Sequence, residues 1–141
     1  MADLELDPLG TLTLTMGETI RIPETPSGLR IIVEFPSITW EAERVRAKLH
    51  GVAAADWLAI GPEGTATLDM RFTLATEEGV PLFVTAFGRT DSAEFPKGGP
   101  IRLALFVEAG DPRYAWLNRA VLVARGSLAS GKVPLSVSAL R

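Results

Sequence analysis

The stretch "AADWLAIGPEGTATLDMRFTLATEEGVPLFVTAFG", residues 54–88, is divided by two turn signals, "GPEG" at 61–64 and "EEG" at 77–79. Between them the side chains alternate: Leu68, Met70, Phe72 and Leu74 on one face, and Thr67, Asp69, Arg71 and Thr73 on the other. This period of two is typical of a β-strand with one buried face. The next segment, "PLFVTAFG", is apolar on both faces. We therefore predict a long strand, a tight turn and a second strand.

The rest of the chain repeats this pattern of short apolar runs between Gly and Pro residues. "GTLTLTMGETIRIPE" at 10–24 alternates, breaks at Gly17-Glu18 and resumes, which predicts a hairpin. Further strands are predicted in the segments 28–36, 43–51, 101–110, 117–126 and 132–141. The chain offers about ten candidate strands and no convincing amphipathic helix. We predict an all-β fold with little helix: one domain, residues 1–141, forming a small closed antiparallel β-barrel of about 8–10 strands, since closure removes exposed sheet edges.

Composition excludes several classes of protein. The 141 residues include no cysteine, so disulfides, thiolate metal sites and cysteine nucleophiles are excluded. One histidine, His50, is present, which rules out a histidine-rich metal site. The net charge of −3 gives no electrostatic argument for nucleic acid, and no apolar run reaches the roughly 20 residues of a membrane helix. The first ten residues are acidic and do not resemble a signal peptide, so we expect a cytoplasmic protein.

Several linked elements resemble a known family. Asp56-Trp57, Leu68-Asp69 with Arg71, and the run Tyr114-Ala-Trp-Leu-Asn118 are found in this order. Together with Gly64 and Gly79 between them, they are similar to the small bacterial and fungal proteins of domain-of-unknown-function family thirty-two thirty-seven, also called uncharacterised protein family three-eleven. The resemblance runs from about residue 28 to the C-terminus. It implies a small antiparallel β-barrel, often oligomeric, and no established activity, so a homo-oligomer is one expected state.

Asp56, Asp69 and Arg71 are the candidate catalytic residues. Asp69 and Arg71 are two positions apart on one strand and so face the same way. If that face lines the barrel, Arg71 could hold a ligand carboxylate or stabilise an enolate, and Asp56 or Asp69 could act as a general base. Alternatively, Asp69 and Arg71 form an ion pair on the outer face, and Asp56 pins a turn by accepting backbone hydrogen bonds.

Trp57, Tyr114, Trp116 and Asn118 are the candidate substrate-binding residues. Trp116 and Asn118 would share one strand face and form a wall for a flat, partly polar ligand. They could equally form an aromatic plug at one barrel end. "DPRYAWLN" can also be interpreted as one helical turn capped by Asp111. The loop "RTDSAEFPKGGP" at 89–100 could cover an opening, and Trp57 could simply be part of the core.

Three functional hypotheses follow. We favour an enzyme that uses neither metal nor cofactor: a lyase, isomerase or cyclase acting on a hydrophobic carbonyl or aromatic compound. The second hypothesis is a carrier or sensor of a small apolar ligand, and the third is a structural barrel with a filled interior. The expected partner is a small molecule, with no nucleic acid and no membrane. His50 is a further catalytic candidate, which the family resemblance does not support.

Overall fold

The computed structural model describes residues 3–141 and contains eleven strand segments in one antiparallel sheet. The segments are β1 (Leu6–Thr15), β2 (Thr19–Thr25), β3 (Gly28–Glu34), β4 (Ser37–Glu41), β5 (Arg46–Leu49), β6 (Ala55–Ile60), β7 (Thr65–Thr76), β8 (Pro81–Asp91), β9 (Ile101–Ala109), β10 (Leu122–Gly126) and β11 (Lys132–Leu140). Two 3₁₀ helices, Phe95–Lys97 and Pro112–Arg119, lie between strands. Within these residues, no helix is long and apolar enough to cross a membrane.

The eleven segments form an eight-stranded closed barrel, because three pairs of segments are single strands with a bend. Around the ring, β7 is followed by β8, β9, β10 and β11, and then by β1, β4 and β5, and β5 pairs with β7 again. β2, β3 and β6 extend the bent strands beyond this ring and pair in the order β2–β3–β6–β7. The predicted all-β barrel is confirmed.

The alternation on β7 is confirmed residue by residue. Leu68, Met70, Phe72 and Leu74 are buried, whereas Thr67 and Arg71 are exposed. The four apolar side chains are part of one continuous core inside the barrel. On β8 the inner positions are equally apolar, but the outer face carries Phe83 and Phe87, which are 39% and 49% exposed. The apolar outer face explains why the sequence of β8 shows no clear alternation.

The predicted hairpin at Gly17-Glu18 is wrong. β1 and β2 do not pair with each other: Thr15 faces Ser37 and Thr19 faces Val33, so β1–β2 runs as one strand alongside β3–β4 in a constant register. The turn lies further on, between Thr25 and Gly28. Gly17 is needed for close approach, because a Cβ there would lie 2.8 Å from Cδ of Pro36 and 2.9 Å from a backbone oxygen.

β5 and β6 pair in succession with the same edge of β7, but not in one continuous register. Leu49 faces Leu74, and Ala55 faces Arg71, so six steps along one strand match three along its neighbour. The surplus is accommodated in a bulge, residues 50–54. Because side chains alternate, an odd number of extra residues exchanges the inner and outer faces of the strand. On β5 odd-numbered Leu49 is paired with buried Leu74, whereas on β6 even-numbered Asp56 is paired with buried Met70.

A substitution at Gly88 tests the close packing of the barrel wall. A Cβ at Gly88 would collide with the carbonyl oxygen of Arg102 on β9, a backbone atom that cannot move away alone. Gly88→Ala should therefore lower the free energy of unfolding by about 1–3 kcal/mol. Gly110→Ala is the matched control, since its added Cβ meets open space. Urea unfolding of both variants measures the difference, and equal stabilities would contradict this account of the wall.

Candidate functional site

A cavity of about 300 Å³ occupies one end of the barrel. It lies between β2, β3, β6, the first half of β7 and the end of β8. Most of its wall is apolar: Val33, Phe35, Leu58, Ile60, Leu68 and Met70 all contribute. Phe95 and Pro96, in the 3₁₀ helix of the 92–100 loop, also line it. The loop therefore forms part of the cavity wall.

Asp56 is the acidic residue in this wall. It lies on β6 with only 3% of its surface exposed, directly across from Met70 of β7. The bulge at 50–54 is what turns Asp56 toward the cavity and its neighbour Trp57 away from it. A carboxyl group is thus buried in a largely apolar wall, where its ionised form is poorly solvated.

The sheet opens locally around Asp56. β6 and β7 are paired at Asp56–Met70 and, in the same register, at Ala59–Thr67, but the positions between are not paired. The N–H of Asp69 donates instead to Oδ1 of Asp56, at 2.9 Å. The carbonyl oxygen of Trp57 accepts from Nη1 of Arg30, at 2.7 Å. Side chains therefore satisfy both backbone groups that the opening leaves without a strand partner.

The second carboxylate oxygen of Asp56 is available to the cavity. Among the described residues, Oδ2 receives no hydrogen bond, and no fully buried side-chain oxygen lacks a partner. Oδ2 therefore keeps some accessible surface, and Asp56 lines the cavity. One oxygen fixes the orientation of the carboxyl group, and the other can exchange a proton with a bound molecule.

Burial raises the pKa of Asp56 to about 7. The hydrogen bond from the Asp69 backbone lowers this pKa, and the negative charge of the Asp69 side chain raises it, but both effects are smaller than that of burial. Near neutral pH the carboxyl group is therefore present in both protonation states, which suits a group that must accept and return a proton.

Asp69 and Arg71 are on the other side of the wall. Arg71 is exposed, and its guanidinium carbon lies 4.7 Å from the ring centroid of Trp57, which also faces outward. Asp69 is half-buried, and neither side chain lines the cavity. No ion pair joins the two among the described residues. Asp69 therefore contacts Asp56 only through its backbone N–H. Arg71 and Trp57 lie together outside the cavity.

Tyr114, Trp116 and Asn118 lie at the opposite end of the barrel, and the strand face predicted for Trp116 and Asn118 is wrong. They belong to the 3₁₀ helix Pro112–Arg119, which Asp111 caps by accepting a hydrogen bond from the N–H of Arg113. Proline at the first helical position and the aspartate cap favour this helix over a strand. Because Trp116 and Asn118 lie in a helix, their side chains do not share one face of a strand.

Each of the three side chains contacts protein rather than the cavity. The hydroxyl of buried Tyr114 donates to Glu78, in the β7–β8 turn, at 2.7 Å. Asn118 accepts from the N–H of Ala109 and donates to its carbonyl, at 2.7 and 2.9 Å. Arg44 lies 3.6 Å above the Trp116 ring. This geometry matches the plug that the sequence left open as an alternative.

Sequence reasoning missed the polar residues at the cavity mouth. Thr19 and Arg21 of β2 and Ser92 of the 92–100 loop all line the cavity. In the sequence, Thr19 and Arg21 alternate with Ile20 and Ile22. This alternation does not show which of the two pairs faces inward. His50 is exposed in the bulge and is not among the lining residues. In residues 3–141, no three acidic or histidine side chains are grouped closely enough to hold a metal ion.

A family model described as "Protein of unknown function (DUF3237)" matches residues 4–140. No curated protein matches the chain. The match confirms the family that the order of Asp56-Trp57, Leu68-Asp69 and the Tyr114–Asn118 run indicated.

Solved structures share the fold over the whole chain. A β-barrel-like protein from Acinetobacter baumannii AYE superposes with a TM-score of 0.84 at 22% identity, covering 100% of this chain and 98% of that one. A conserved protein of unknown function from Rhodopseudomonas palustris gives 0.88 at 20% identity, with 100% of both chains covered. An enzyme from Penicillium herquei gives 0.75 at 14% identity, covering 100% of this chain and 97% of that one. At these identities the similarity establishes the fold alone.

The raised pKa of Asp56 predicts how stability depends on pH. The unfolded chain releases this proton near its ordinary pKa of 3.8, whereas the folded protein retains it up to about pH 7. Between these values the folded state binds more protons, so Asp56 makes the free energy of unfolding fall as pH rises, by on the order of a few kcal/mol. The variant Asp56→Asn keeps an acceptor for the Asp69 N–H. Its free energy of unfolding should not show this decrease as pH rises. Urea unfolding at intervals from pH 4 to 8 measures it, and parallel profiles would contradict the raised pKa.

Asn118→Ala tests whether the helix Pro112–Arg119 is structural. The variant loses both hydrogen bonds to Ala109, so the free energy of unfolding should drop by about 1–2 kcal/mol. Binding of an apolar dye in the cavity should stay within twofold of the unsubstituted protein, since Asn118 is at the other end of the barrel. A large loss of dye binding with unchanged stability would instead support the prediction that Asn118 forms part of a ligand-binding wall.

Proposed function

The chain belongs to the DUF3237 family, and we propose that its barrel binds a small, largely apolar molecule and that Asp56 transfers protons to and from it. The reaction class is that of an isomerase, lyase or cyclase acting on a hydrophobic carbonyl or aromatic compound, without metal or cofactor. The observation that carries this proposal is the geometry of Asp56: a carboxyl group, anchored through one oxygen, faces an apolar cavity of about 300 Å³ with the other.

The proposed chemistry begins with the ionised form of Asp56. Its carboxylate removes a proton from a carbon next to a carbonyl group, and the electron pair of that C–H bond moves to form an enolate. The new carboxylic acid then returns the proton to a different carbon or to a leaving group, which gives an isomer or an elimination product. A pKa of about 7 keeps both steps accessible at neutral pH.

The roles of the other predicted residues change within this proposal. Asp69 fixes the Asp56 carboxyl group through its backbone N–H, so we propose it as a positioning residue. Arg71 was predicted to stabilise an enolate, which requires a cation inside the cavity, but its guanidinium stacks on Trp57 outside. Tyr114, Trp116 and Asn118 support the opposite end of the barrel.

A carrier or sensor of an apolar ligand is the second candidate. It is favoured by the small number of reactive groups in the cavity. Asp56 and Arg21 are the only ionisable side chains among the described residues that line it. This function predicts saturable binding without chemical change. The third hypothesis, a barrel with a filled interior, has the cavity itself against it.

The remaining parts of the proposal concern partners and location. A small molecule is the proposed partner, with no nucleic acid and no membrane, and the proposed location is the cytoplasm. We also propose that copies of the chain associate. The outer faces of β8 and β9 suit this, because Phe83, Phe87 and Phe106 are 39%, 49% and 45% exposed there, and contiguous exposed apolar side chains are typical of interaction surfaces.

Hydrogen–deuterium exchange tests the proton transfer. Small aryl ketones with exchangeable protons next to the carbonyl are incubated with the protein in D₂O, and proton NMR follows the loss of those signals. The protein should accelerate exchange of the ketones that bind, and Asp56→Asn should reduce the acceleration about 100-fold or more, since no other described carboxyl group lines the cavity.

Arg71→Met is the matched control, because it changes a charge on the outer wall and not in the cavity. It should leave the exchange rate within about threefold. Exchange that is equally fast with Asp56→Asn would remove Asp56 from the mechanism. Saturable ketone binding with no exchange above the buffer rate would establish the carrier instead of the enzyme.

A further inference from the structure

The polarity of β2 is inverted relative to the rest of the barrel. Arg21 faces Ile31 and Thr19 faces Val33 in the pairing with β3, and all four residues line the cavity. Ile31 and Val33 are buried on the inner face of β3, so Thr19 and Arg21 are also on the inner face of β2. Ile20 and Ile22 of β2 point outward and are 40% and 43% exposed.

Thr19 and Arg21 are themselves exposed although they line the cavity, so they lie where the cavity opens to solvent. Isoleucine side chains on this face would contact the apolar cavity wall, whereas the outer face of β2 leaves Ile20 and Ile22 partly in water. The sequence instead places a guanidinium group at the entrance of the cavity.

Arg21 has no anionic partner in the described part of the chain. The ion pairs there involve Arg113 and Arg141, and the hydrogen bonds from arginine side chains come from Arg30, Arg113 and Arg141. Asp56, the carboxyl group in the same cavity wall, is hydrogen-bonded to Asp69 and not to Arg21. The guanidinium is thus free to bind an anion that enters the cavity, and its planar array of donors suits a carboxylate or sulfonate.

We infer that the molecule bound by this barrel carries an anionic group, which Arg21 holds at the mouth while the apolar body extends inward to Asp56. The inference rests on the proposed function, because it assumes that the cavity is a binding site. It makes Arg21 a specificity-determining residue: a cation at the entrance and a carboxyl group within define the two ends of the ligand. An anion at the mouth also orients the apolar body, so that the same part of each molecule reaches Oδ2 of Asp56.

Two fluorescent probes that differ in one charge test the inference. 1-Anilinonaphthalene-8-sulfonate is apolar and anionic, and N-phenyl-1-naphthylamine has the same aromatic skeleton without the sulfonate. Affinities are measured by fluorescence titration with the unsubstituted protein, with Arg21→Gln and with Arg125→Gln. Arg125 is exposed on β10 and is not a lining residue, so Arg125→Gln controls for the loss of one positive charge.

The expected result is selective for Arg21 and for the anion. Arg21→Gln should weaken sulfonate binding about tenfold, in line with the loss of one charge-assisted contact, and should leave the neutral probe within twofold. Arg125→Gln should match the unsubstituted protein with both probes, and Arg21→Lys should restore part of the sulfonate affinity. Circular dichroism checks that the variants are folded.

The other outcomes separate this inference from the proposed function. Equal sulfonate affinity in Arg21→Gln and the unsubstituted protein, with the neutral probe still bound, overturns the anionic ligand and leaves the apolar site standing. A filled cavity, Leu68→Trp, should abolish binding of both probes if they occupy this site. Binding of neither probe to the unsubstituted protein overturns both proposals.

Discussion

The unequal spacing of β5–β6 against β7 is the constraint on which the functional geometry depends. Six residue steps from Leu49 to Ala55 match three from Leu74 to Arg71, so the inner and outer faces are exchanged across the bulge. Without that exchange, β6 would direct Trp57 into the barrel and Asp56 into solvent. The bulge thus converts an ordinary strand position into a buried carboxyl group. The local opening of the sheet beside it supplies the Asp69 N–H that holds this group in place.

The two ends of the barrel differ in structure. One end is closed by the helix Pro112–Arg119, where Tyr114 and Leu117 are buried and Asn118 is tied to the β9 backbone. The other end contains the cavity, which Phe95 and Pro96 of a loop help to line. Side chains pack closely at the end with the helix, whereas the interior at the other end is incompletely filled. The aromatic run that draws attention in the sequence therefore packs at one end of the barrel, and the chemistry that we propose is at the other end.

Asp56 and the polarity of β2 both depart from the pattern that packing favours. Burial disfavours the ionised carboxyl group, which is why the pKa of Asp56 rises to about 7, and the inverted polarity of β2 leaves Ile20 and Ile22 partly in water. Local departures of this kind from the pattern that packing favours are typical of functional sites, because activity requires groups that a purely structural interior would exclude. Both departures line the same cavity, and this coincidence supports interpreting it as a site.

Local sequence determined the strands, the β7 alternation from Leu68 to Leu74, the capped turn at Asp111 and the family resemblance, because these depend on neighbouring residues and on period-two burial. It also marked Asp56 as a candidate. Tertiary structure alone decided that Asp56 faces inward and Arg71 outward, that β1 pairs with β4 and β11 rather than with β2, and that Arg21 faces the cavity. Alternation states which side chains share a face, but it does not state which face is inside. That choice is made by the register between distant strands, where a bulge of a few residues exchanges the two faces without altering the local pattern.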